Sequence, residues 1–177
     1  MKRGGGKRKG SAFERTIAIV FREKFNLDAK HCYRTPLSGG HFAARRNDPG
    51  DLVFSPAFQN SLPIPICVEC KNQKDWKIGR FWENLKAKRS WPETQALKQA
   101  IEAAGTTHCA PVLIFKYHQD KEIWCCVPPE LHIANVRALR FKFMGRLFFL
   151  AKLNAVLDSW IFNEWGNLHD NVKRKKP

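Results

Sequence analysis

Two short segments carry the residues whose types and spacing best suit a chemical reaction. Gly50-Asp51-Leu52-Val53-Phe54 places an aspartate at the start of an apolar strand, and Val68-Glu69-Cys70-Lys71 places a glutamate two residues before a lysine. Side chains of a strand alternate between its faces, so Glu69 and Lys71 share one face while the residues between them point into the core. Asp51, at the start of the neighbouring strand, is expected to reach the same point.

Two carboxylates that converge on one point repel each other unless a cation lies between them. Mg²⁺ suits such a place because it prefers oxygen ligands, keeps several waters and completes its shell with a substrate phosphate. We expect Mn²⁺ to substitute for it. The metal acidifies a bound water and neutralises developing negative charge. Lys71 would orient or deprotonate the attacking water, or stabilise that charge. The pattern therefore predicts metal-dependent hydrolysis of a phosphodiester.

The acid-x-lysine triplet formed by Glu69 and Lys71 indicates a catalytic site because of the segments around it, not because of its sequence alone. An acid two residues before a lysine also occurs at Asp28/Lys30 and Asp75/Lys77, but only Glu69/Lys71 ends an apolar strand that follows an aspartate-led one. Asp48 is a rival to Asp51 in the same loop. We prefer Asp51 because the apolar strand follows it directly.

The elements that must position these residues indicate a mixed α/β chain of one domain, with helices flanking a central sheet. Ser11 and Glu14 fit a capping box at the start of the first helix. The final third is predicted to be a strand over 141–151 followed by a helix capped by Asn154, with one long helix as the alternative. We expect strands 52–54 and 65–71 to pair as a hairpin. The other predicted elements are a helix to Phe25, a strand over 31–36, a helix from Pro92 to Gly105, and a hairpin of strands 112–117 and 122–127.

The net charge of the chain indicates which classes of partner it is expected to bind. Lys and Arg number 31 against 16 Asp and Glu, a formal net charge of +15. Such a chain favours a polyanion, with nucleic acid first and an anionic membrane surface second. No apolar stretch approaches the length of a membrane span, and the basic N-terminus lacks the apolar segment of a secretory signal. We therefore expect an intracellular protein, in the host cytoplasm if it is viral, with six reduced and mostly buried cysteines.

The acidic pattern is that of the PD-(D/E)xK nucleases, and residues 11–130 resemble the archaeal-type Holliday junction resolvases. The residues that carry the resemblance are Glu14 next to Arg15, the loop Thr35-Pro36-Leu37-Ser38-Gly39-Gly40, Glu69-Cys70-Lys71, and the helix from near Gln95 through Gly105 that leads to Pro111-Val112-Leu113-Ile114-Phe115-Lys116. Two features depart from that family: Gly50 separates Pro49 from Asp51, and the turn between the two catalytic strands is long.

The resemblance implies a restriction-endonuclease-like core with a central mixed sheet, and it implies roles for five residues. Glu14, Asp51 and Glu69 would hold the metal, with Lys71 and Ser38 completing the catalytic set. The implied substrate is branched DNA, a four-way junction cut symmetrically, which makes a C2 homodimer the natural assembly. The candidate DNA-binding residues around the site are Arg15, Arg34, Arg45, Arg46, Lys74, Lys77 and Arg80.

The same reasoning divides the chain into four segments. They are a flexible basic arm (1–10), a nuclease core (11–130), a strand and helix extension packed on the core (131–172), and a basic tail (173–177). Four alternatives stay open. The chain can be a PD-(D/E)xK nuclease for another DNA substrate, structure-selective or restriction-type, or a non-catalytic nucleic-acid-binding domain. Glu14 can be only the helix cap, and Cys67 and Cys70 have the spacing of half a zinc knuckle.

Overall fold

A computed structural model of the chain describes residues 5–36, 50–73, 76, 78–87, 92–117, 121–131, 133 and 135–162. The described chain forms a five-stranded sheet, a two-stranded sheet and flanking helices. In chain order the elements are α1 (Gly5–Phe25), β1 (Cys32–Arg34), β2 (Leu52–Phe54), α2 (Pro56–Gln59), β3 (Ile66–Gln73), α3 (Ile78–Ala87), α4 (Pro92–Gly105), β4 (Ala110–Tyr117), β5 (Ile123–Val127), a 3₁₀ turn (Pro129–Leu131), β6 (Leu139–Phe143), β7 (Arg146–Lys152) and α5 (Leu153–Phe162).

The larger sheet is mixed, with strand order β3-β4-β5-β7-β6. Only β3 and β4 are parallel, and the other neighbours are antiparallel. A parallel pair needs a crossover, which α3 and α4 supply between the two strands. This arrangement confirms the predicted fold class, an α/β restriction-endonuclease-like core with a central mixed sheet flanked by helices.

Each face of the sheet carries its own apolar core. On one face, Val68 and Cys70 of β3 pack with α1, α5 and the β1–β2 sheet. On the other face, Leu113 and Phe115 of β4 pack with α3 and α4. Because β4 is covered on both faces, it reads in the sequence as a nearly continuous apolar run.

Most predicted strands and helices are confirmed. Strand 52–54, the helix from Pro92 to Gly105 and the β4–β5 hairpin have the predicted bounds to within two residues. The described helices include none with the length and apolar character that a membrane span requires.

Two predictions in the first half of the chain were wrong. β2 and β3 do not form a hairpin, because Ser55 caps the short helix α2, which redirects the chain, and β2 pairs antiparallel with β1 instead. Helix α1 begins at Gly5 rather than at Ser11, so Ser11 is not its N-cap. Extending an existing helix costs far less than nucleating one, which lets the basic stretch before Ser11 continue it. Six of the ten residues assigned to a flexible arm are therefore helical, while the four-segment division itself stays a prediction.

The C-terminal third also differs in detail. The predicted strand is a hairpin of β6 and β7, because Met144 and Gly145 both take positive φ values, 49° and 76°, and reverse the chain. Positive φ at both central residues is the mark of a tight two-residue hairpin turn. Helix α5 follows at Leu153, so Asn154 lies inside its first turn rather than capping it. The alternative of one long helix is wrong.

We expect Phe21→Ala to destabilise the fold strongly. Phe21 is fully buried on α1, and its ring lies 5.1 Å from that of Phe54 and 6.5 Å from that of Phe58. Removing a buried ring leaves a cavity and costs about 3–5 kcal/mol. Ile19→Ala is the matched control, since Ile19 on the same helix is 43% exposed and its loss should cost under about 1 kcal/mol. Urea denaturation compares the two, and equal losses would contradict this packing.

Candidate active site

Asp51 is held against β3 although β2 belongs to the other sheet. Its backbone N–H donates to the Val68 carbonyl at 2.7 Å, and its carboxylate oxygen Oδ2 accepts from the Cys70 N–H at 2.8 Å. β3 is the last strand of the larger sheet in the described chain, so its outer backbone groups are available for these bonds. One main-chain bond and one side-chain bond thus fix Asp51 beside the strand that carries Glu69 and Lys71.

Gly50 makes this close approach possible. Its φ is +85°, and a Cβ built there would lie 2.5 Å from the Val68 carbonyl oxygen. Any other residue would therefore be strained and would push β2 away from β3. The glycine between Pro49 and Asp51, which departs from the resolvase pattern, has this structural reason.

Thr35, the residue after β1, anchors the same junction. Its N–H donates to the Asp51 carbonyl at 2.9 Å, and its hydroxyl Oγ1 donates to the Gly50 carbonyl at 3.0 Å. Thr35 is buried, so these bonds are shielded from water. The backbone of Asp51 is consequently held from two sides, by Thr35 and by β3.

Glu69 and Lys71 lie on the same face of β3, as the alternation of the strand predicts, and form an ion pair. Their side chains are 14% and 25% exposed, while the neighbouring Val68 and Cys70 are buried in the opposite core. Glu69 is thus a largely buried carboxylate at the outer edge of the sheet, with solvent access from one side.

Glu14 lies on the inner side of α1 and is ion-paired with Arg34 of β1. It is buried, with 8% of its surface exposed. Since α1 begins at Gly5, Glu14 lies well inside the helix, and the interpretation of Glu14 as the capping-box partner of Ser11 is wrong.

Negative charge dominates the surroundings of Asp51. Burial and the charges of Glu69 and Glu14 together raise the pKa of Asp51 from 3.8 to about 7, against the opposing effects of the Cys70 N–H and Lys71. The carboxylates of Asp51, Glu69 and Glu14 repel one another. Two cations form ion pairs with them, Lys71 with Glu69 and Arg34 with Glu14. Once Asp51 is ionised, the carboxylates exceed these cations by one negative charge.

The donors at this edge fit a hard divalent cation. Oδ1 of Asp51 accepts no hydrogen bond from the described residues. The carbonyl of Cys70 points to the same outer edge of β3, because the N–H and C=O of a strand residue point to the same side and this N–H donates to Asp51. Within the described ranges, however, no three His, Cys, Asp or Glu side chains are grouped closely enough to hold a metal by themselves. Side-chain oxygens of Asp51 and Glu69 and the main-chain oxygen of Cys70 are the donors that suit the ion best.

Lys71 is held as an ammonium. Burial lowers the pKa of Lys71, but attraction and hydrogen bonding to Glu69, with a contribution from Asp51, outweigh burial and raise the pKa above 10.5. In this arrangement its Nζ is a hydrogen-bond donor.

The remaining candidate residues divide into two groups. Arg15 on α1 and Arg80 on α3 are exposed, and Arg34 makes the ion pair with Glu14. Five candidates lie outside the described residues, and their roles stay predictions: Ser38, Arg45, Arg46, Lys74 and Lys77.

The cysteines behave as small apolar residues. All six are free thiols, and all but Cys109 are buried. Burial raises the pKa of Cys67 to about 12 and that of Cys70 well above 9.0, so both thiols strongly resist the deprotonation that zinc binding requires. The described residues show no cluster that would complete a zinc site around them.

Sequence reasoning missed Thr35 and the main chain of Cys70. Backbone groups carry no side-chain signature, so nothing in the sequence marks the Cys70 N–H as the partner of Asp51. The signal for Thr35 was weak: it opens the loop Thr35-Pro36-Leu37-Ser38, where the resemblance drew attention to the serine.

A protein-family model described as "Phage putative PDDEXK endonuclease" matches residues 5–170, nearly the whole chain. The chain belongs to this endonuclease family. Comparison with curated proteins and with solved structures finds no match. Family membership makes the chain a PD-(D/E)xK nuclease, a class that acts on DNA and generally uses divalent metal ions such as Mg²⁺. The match runs past residue 130, so the family pattern includes the β6–β7 hairpin and α5.

We expect Gly50→Ala to impair the nuclease by displacing Asp51. The added Cβ would meet the Val68 carbonyl at 2.5 Å in a backbone conformation that alanine avoids. The expected cost is roughly 1–3 kcal/mol of stability, with loss of the Asp51 N–H to Val68 bond. Gly79→Ala is the control, since a Cβ there meets nothing within 4 Å. Thermal unfolding measures the difference, and an unchanged melting temperature for Gly50→Ala would refute this account of the glycine.

The metal-free nuclease should lose stability as pH rises, because of Asp51. The folded chain holds the Asp51 proton to about pH 7, whereas the unfolded chain releases it near 3.8. The folded state binds more protons between these values, so the free energy of unfolding falls as pH rises through that window. The cost at pH 8 is roughly 4 kcal/mol.

Asp51→Asn tests this directly, because an amide oxygen still accepts from Cys70 but carries no charge. In EDTA the variant should unfold several degrees higher than wild type at pH 8 and at a similar temperature at pH 4. Asp28→Asn is the control, since Asp28 is well exposed. A pH-independent difference, or a destabilised variant at pH 8, would contradict the electrostatic strain inferred at Asp51.

Proposed function

We propose that the chain is a Mg²⁺-dependent endonuclease that hydrolyses phosphodiester bonds of branched DNA, with Asp51, Glu69 and Lys71 at its catalytic centre. The observation that carries this proposal is the hydrogen bond from the Cys70 N–H to Asp51. It ties the carboxylate at the start of β2 to the strand that presents Glu69 and Lys71. The two acids and the lysine therefore lie at one sheet edge, although 17 residues separate Asp51 from Glu69 in the sequence.

The proposed metal ligands are Asp51 and Glu69, with the Cys70 carbonyl beside them and Glu14 reaching the site from α1. Mg²⁺, or Mn²⁺ in its place, supplies Lewis acidity and an acidified water when bound. The protein contributes carboxylates whose mutual repulsion favours a cation, and a backbone network through Gly50 and Thr35 that fixes their positions.

Lys71 and Arg34 would serve the reaction through different carboxylates, Glu69 and Glu14. The Lys71 ammonium, now paired with Glu69, is available to donate to the attacking water or to a phosphate oxygen. Arg34 positions Glu14 through their ion pair. By resemblance, Ser38 would assist from the loop that follows β1.

The proposed substrate is a four-way junction, and the proposed assembly is a C2 homodimer with two sites that make paired cuts. The resemblance of residues 11–130 to archaeal-type resolvases supports the substrate, and the net charge of +15 supports binding to DNA. Arg15 and Arg80, with Arg45, Arg46, Lys74 and Lys77, are proposed to contact phosphates. A phage enzyme of this kind would act in the cytoplasm of the infected host. The alternative substrates are a different branched structure and a linear duplex.

Cleavage of a labelled four-way junction tests the proposal. Wild type should cut the junction in Mg²⁺ or Mn²⁺ and remain inactive in EDTA, releasing paired products. Asp51→Asn and Glu69→Gln should each lower the cleavage rate about a thousandfold or more, since each removes a charge that is worth several kcal/mol to the metal-assisted step. Both variants should still bind the junction.

Asp28→Asn is the matched control, because Asp28 and Lys30 form the same acid-x-lysine triplet on an exposed turn. It should cut as wild type does. A linear duplex of the same sequence, cut equally well, would overturn the junction preference and leave the nuclease. Failure of wild type to cut any DNA with either metal, or full activity of Glu69→Gln, would overturn the proposed site.

A further inference from the structure

The C-terminal hairpin presents a concentration of positive charge far from the candidate active site. Arg137, Arg140, Lys142 and Arg146 are all exposed, and residues 135–152 contain no aspartate or glutamate. We call these four residues the basic hairpin. None of them was among the residues that the sequence suggested for DNA binding.

Several other lysines in the described chain are paired with an acid, whereas the cations of the basic hairpin are not. Lys24, Lys30, Lys98 and Lys152 each lie within ion-pair distance of an acid. The basic hairpin makes no ion pair with any described residue. Its four charges therefore act on solvent and on whatever approaches this edge.

The hairpin is held rigidly by its apolar side chains. Phe141 and Phe148 are buried in the core under α3 and α4, and their rings stack 5.8 Å apart. The two-residue turn at Met144 and Gly145 closes the pair. Since residues alternate along β6, Arg140 and Lys142 lie on the face opposite Phe141. The fold thus fixes where these two charges lie.

Leu139 of β6 lies in the same row of paired residues as Glu69. Arg140 and Lys142 project from the opposite face of the sheet to Glu69, and Arg146, which pairs with Phe143, lies on the face of Glu69. Glu69 of β3 pairs with Leu113, Leu113 with Cys126, Cys126 with Leu150, and Leu150 with Leu139 of β6. Arg140 follows Leu139 directly. Four strand spacings separate the ends of this row, a distance of about 19 Å. That distance equals about six base pairs of B-form DNA at 3.4 Å each.

A second copy of the chain is a poor partner for this edge. If β6 paired antiparallel with itself about Phe141, Arg140 would face Lys142 of the copy on both sides. Like charges directly opposite each other destabilise a strand pair. A polyanion fits the same edge without this repulsion.

We propose that the basic hairpin is a second DNA-binding surface, which contacts phosphates of a substrate arm about six base pairs or more from the scissile bond. The proposal rests on the proposed function only in taking DNA as the ligand. A substrate with arms, or a duplex that extends beyond the active site, reaches both edges of the sheet. A short stem at Glu69 does not.

Binding measurements in metal-free buffer test the surface without cleavage. Fluorescence anisotropy would compare a duplex of about 30 base pairs with a stem-loop of about five base pairs, at several salt concentrations. The variant Arg140→Gln/Lys142→Gln/Arg146→Gln should bind the long duplex about 10- to 100-fold more weakly near 0.1 M salt. Its salt slope should fall by about one for each phosphate that the variant can no longer neutralise. Its affinity for the stem-loop should change less than about threefold.

The control Lys30→Gln/Lys98→Gln/Lys121→Gln removes the same net charge from exposed positions elsewhere. It should bind the long duplex within about threefold of wild type. Equal losses of affinity for both triple variants would overturn the proposal, since net charge alone would explain them. Unchanged DNA affinity with new self-association would also overturn it, because the charges would then serve only to protect the edge of β6.

The two proposals fail separately. If wild type cleaves the junction and the hairpin variant binds long DNA normally, only the second surface is wrong. If wild type binds DNA through the hairpin but never cleaves it, only the proposed catalysis is wrong.

Discussion

The hydrogen bond between the Cys70 N–H and the Asp51 carboxylate is the interaction on which the rest of this structure depends. β2 is three residues long and pairs with β1, so no strand ladder joins it to β3. In the described chain, Asp51 itself bridges the two sheets, through this bond and through its N–H to Val68. Gly50 permits the approach and Thr35 secures it. The geometry of the proposed catalytic centre is therefore built into the contact between two sheets rather than into either one.

That contact is electrostatically strained. Burial and two neighbouring carboxylates raise the pKa of Asp51 to about 7, and the ion pairs of Glu69 and Glu14 offset only part of the repulsion. Such strain is typical of functional sites, where stability is given up for chemistry. A divalent cation would relieve the same repulsion that weakens the metal-free fold, so metal binding and stability are coupled through Asp51.

The larger sheet also fixes the distance between an acidic cluster at one edge and a basic cluster at the other. Acidic groups cluster at its β3 edge, and basic groups without an acidic partner in the described chain lie at its β6 edge, on rows linked by continuous strand pairing. The cations at the β6 edge favour a polyanion, whereas the carboxylates at the β3 edge repel a phosphate placed beside them unless a metal ion lies between. In the two proposals above, the β6 edge adds affinity for DNA and the β3 edge carries out the hydrolysis.

The sequence predicted the parts of the fold that local patterns determine, and it missed those set by a few distant atoms. Apolar runs identified β3 and β4, Pro92 and Gly105 bounded α4, and the spacing of Glu69 and Lys71 predicted their shared face. The pairing of β2 was not predictable, because three residues carry little register information and Ser55 and Pro56 start a helix instead of a turn. The bond to Cys70 involves a backbone N–H, which every residue except proline possesses.

A crystal of the protein soaked in Mn²⁺ gives the most direct test of the metal site. Anomalous scattering locates the ion independently of any assumption about its ligands. The account predicts one peak at the β3 edge, about 2.0–2.2 Å from carboxylate oxygens of Asp51 and Glu69, with Lys71 released from Glu69. A peak elsewhere, or none at this edge in crystals of active protein, would contradict it.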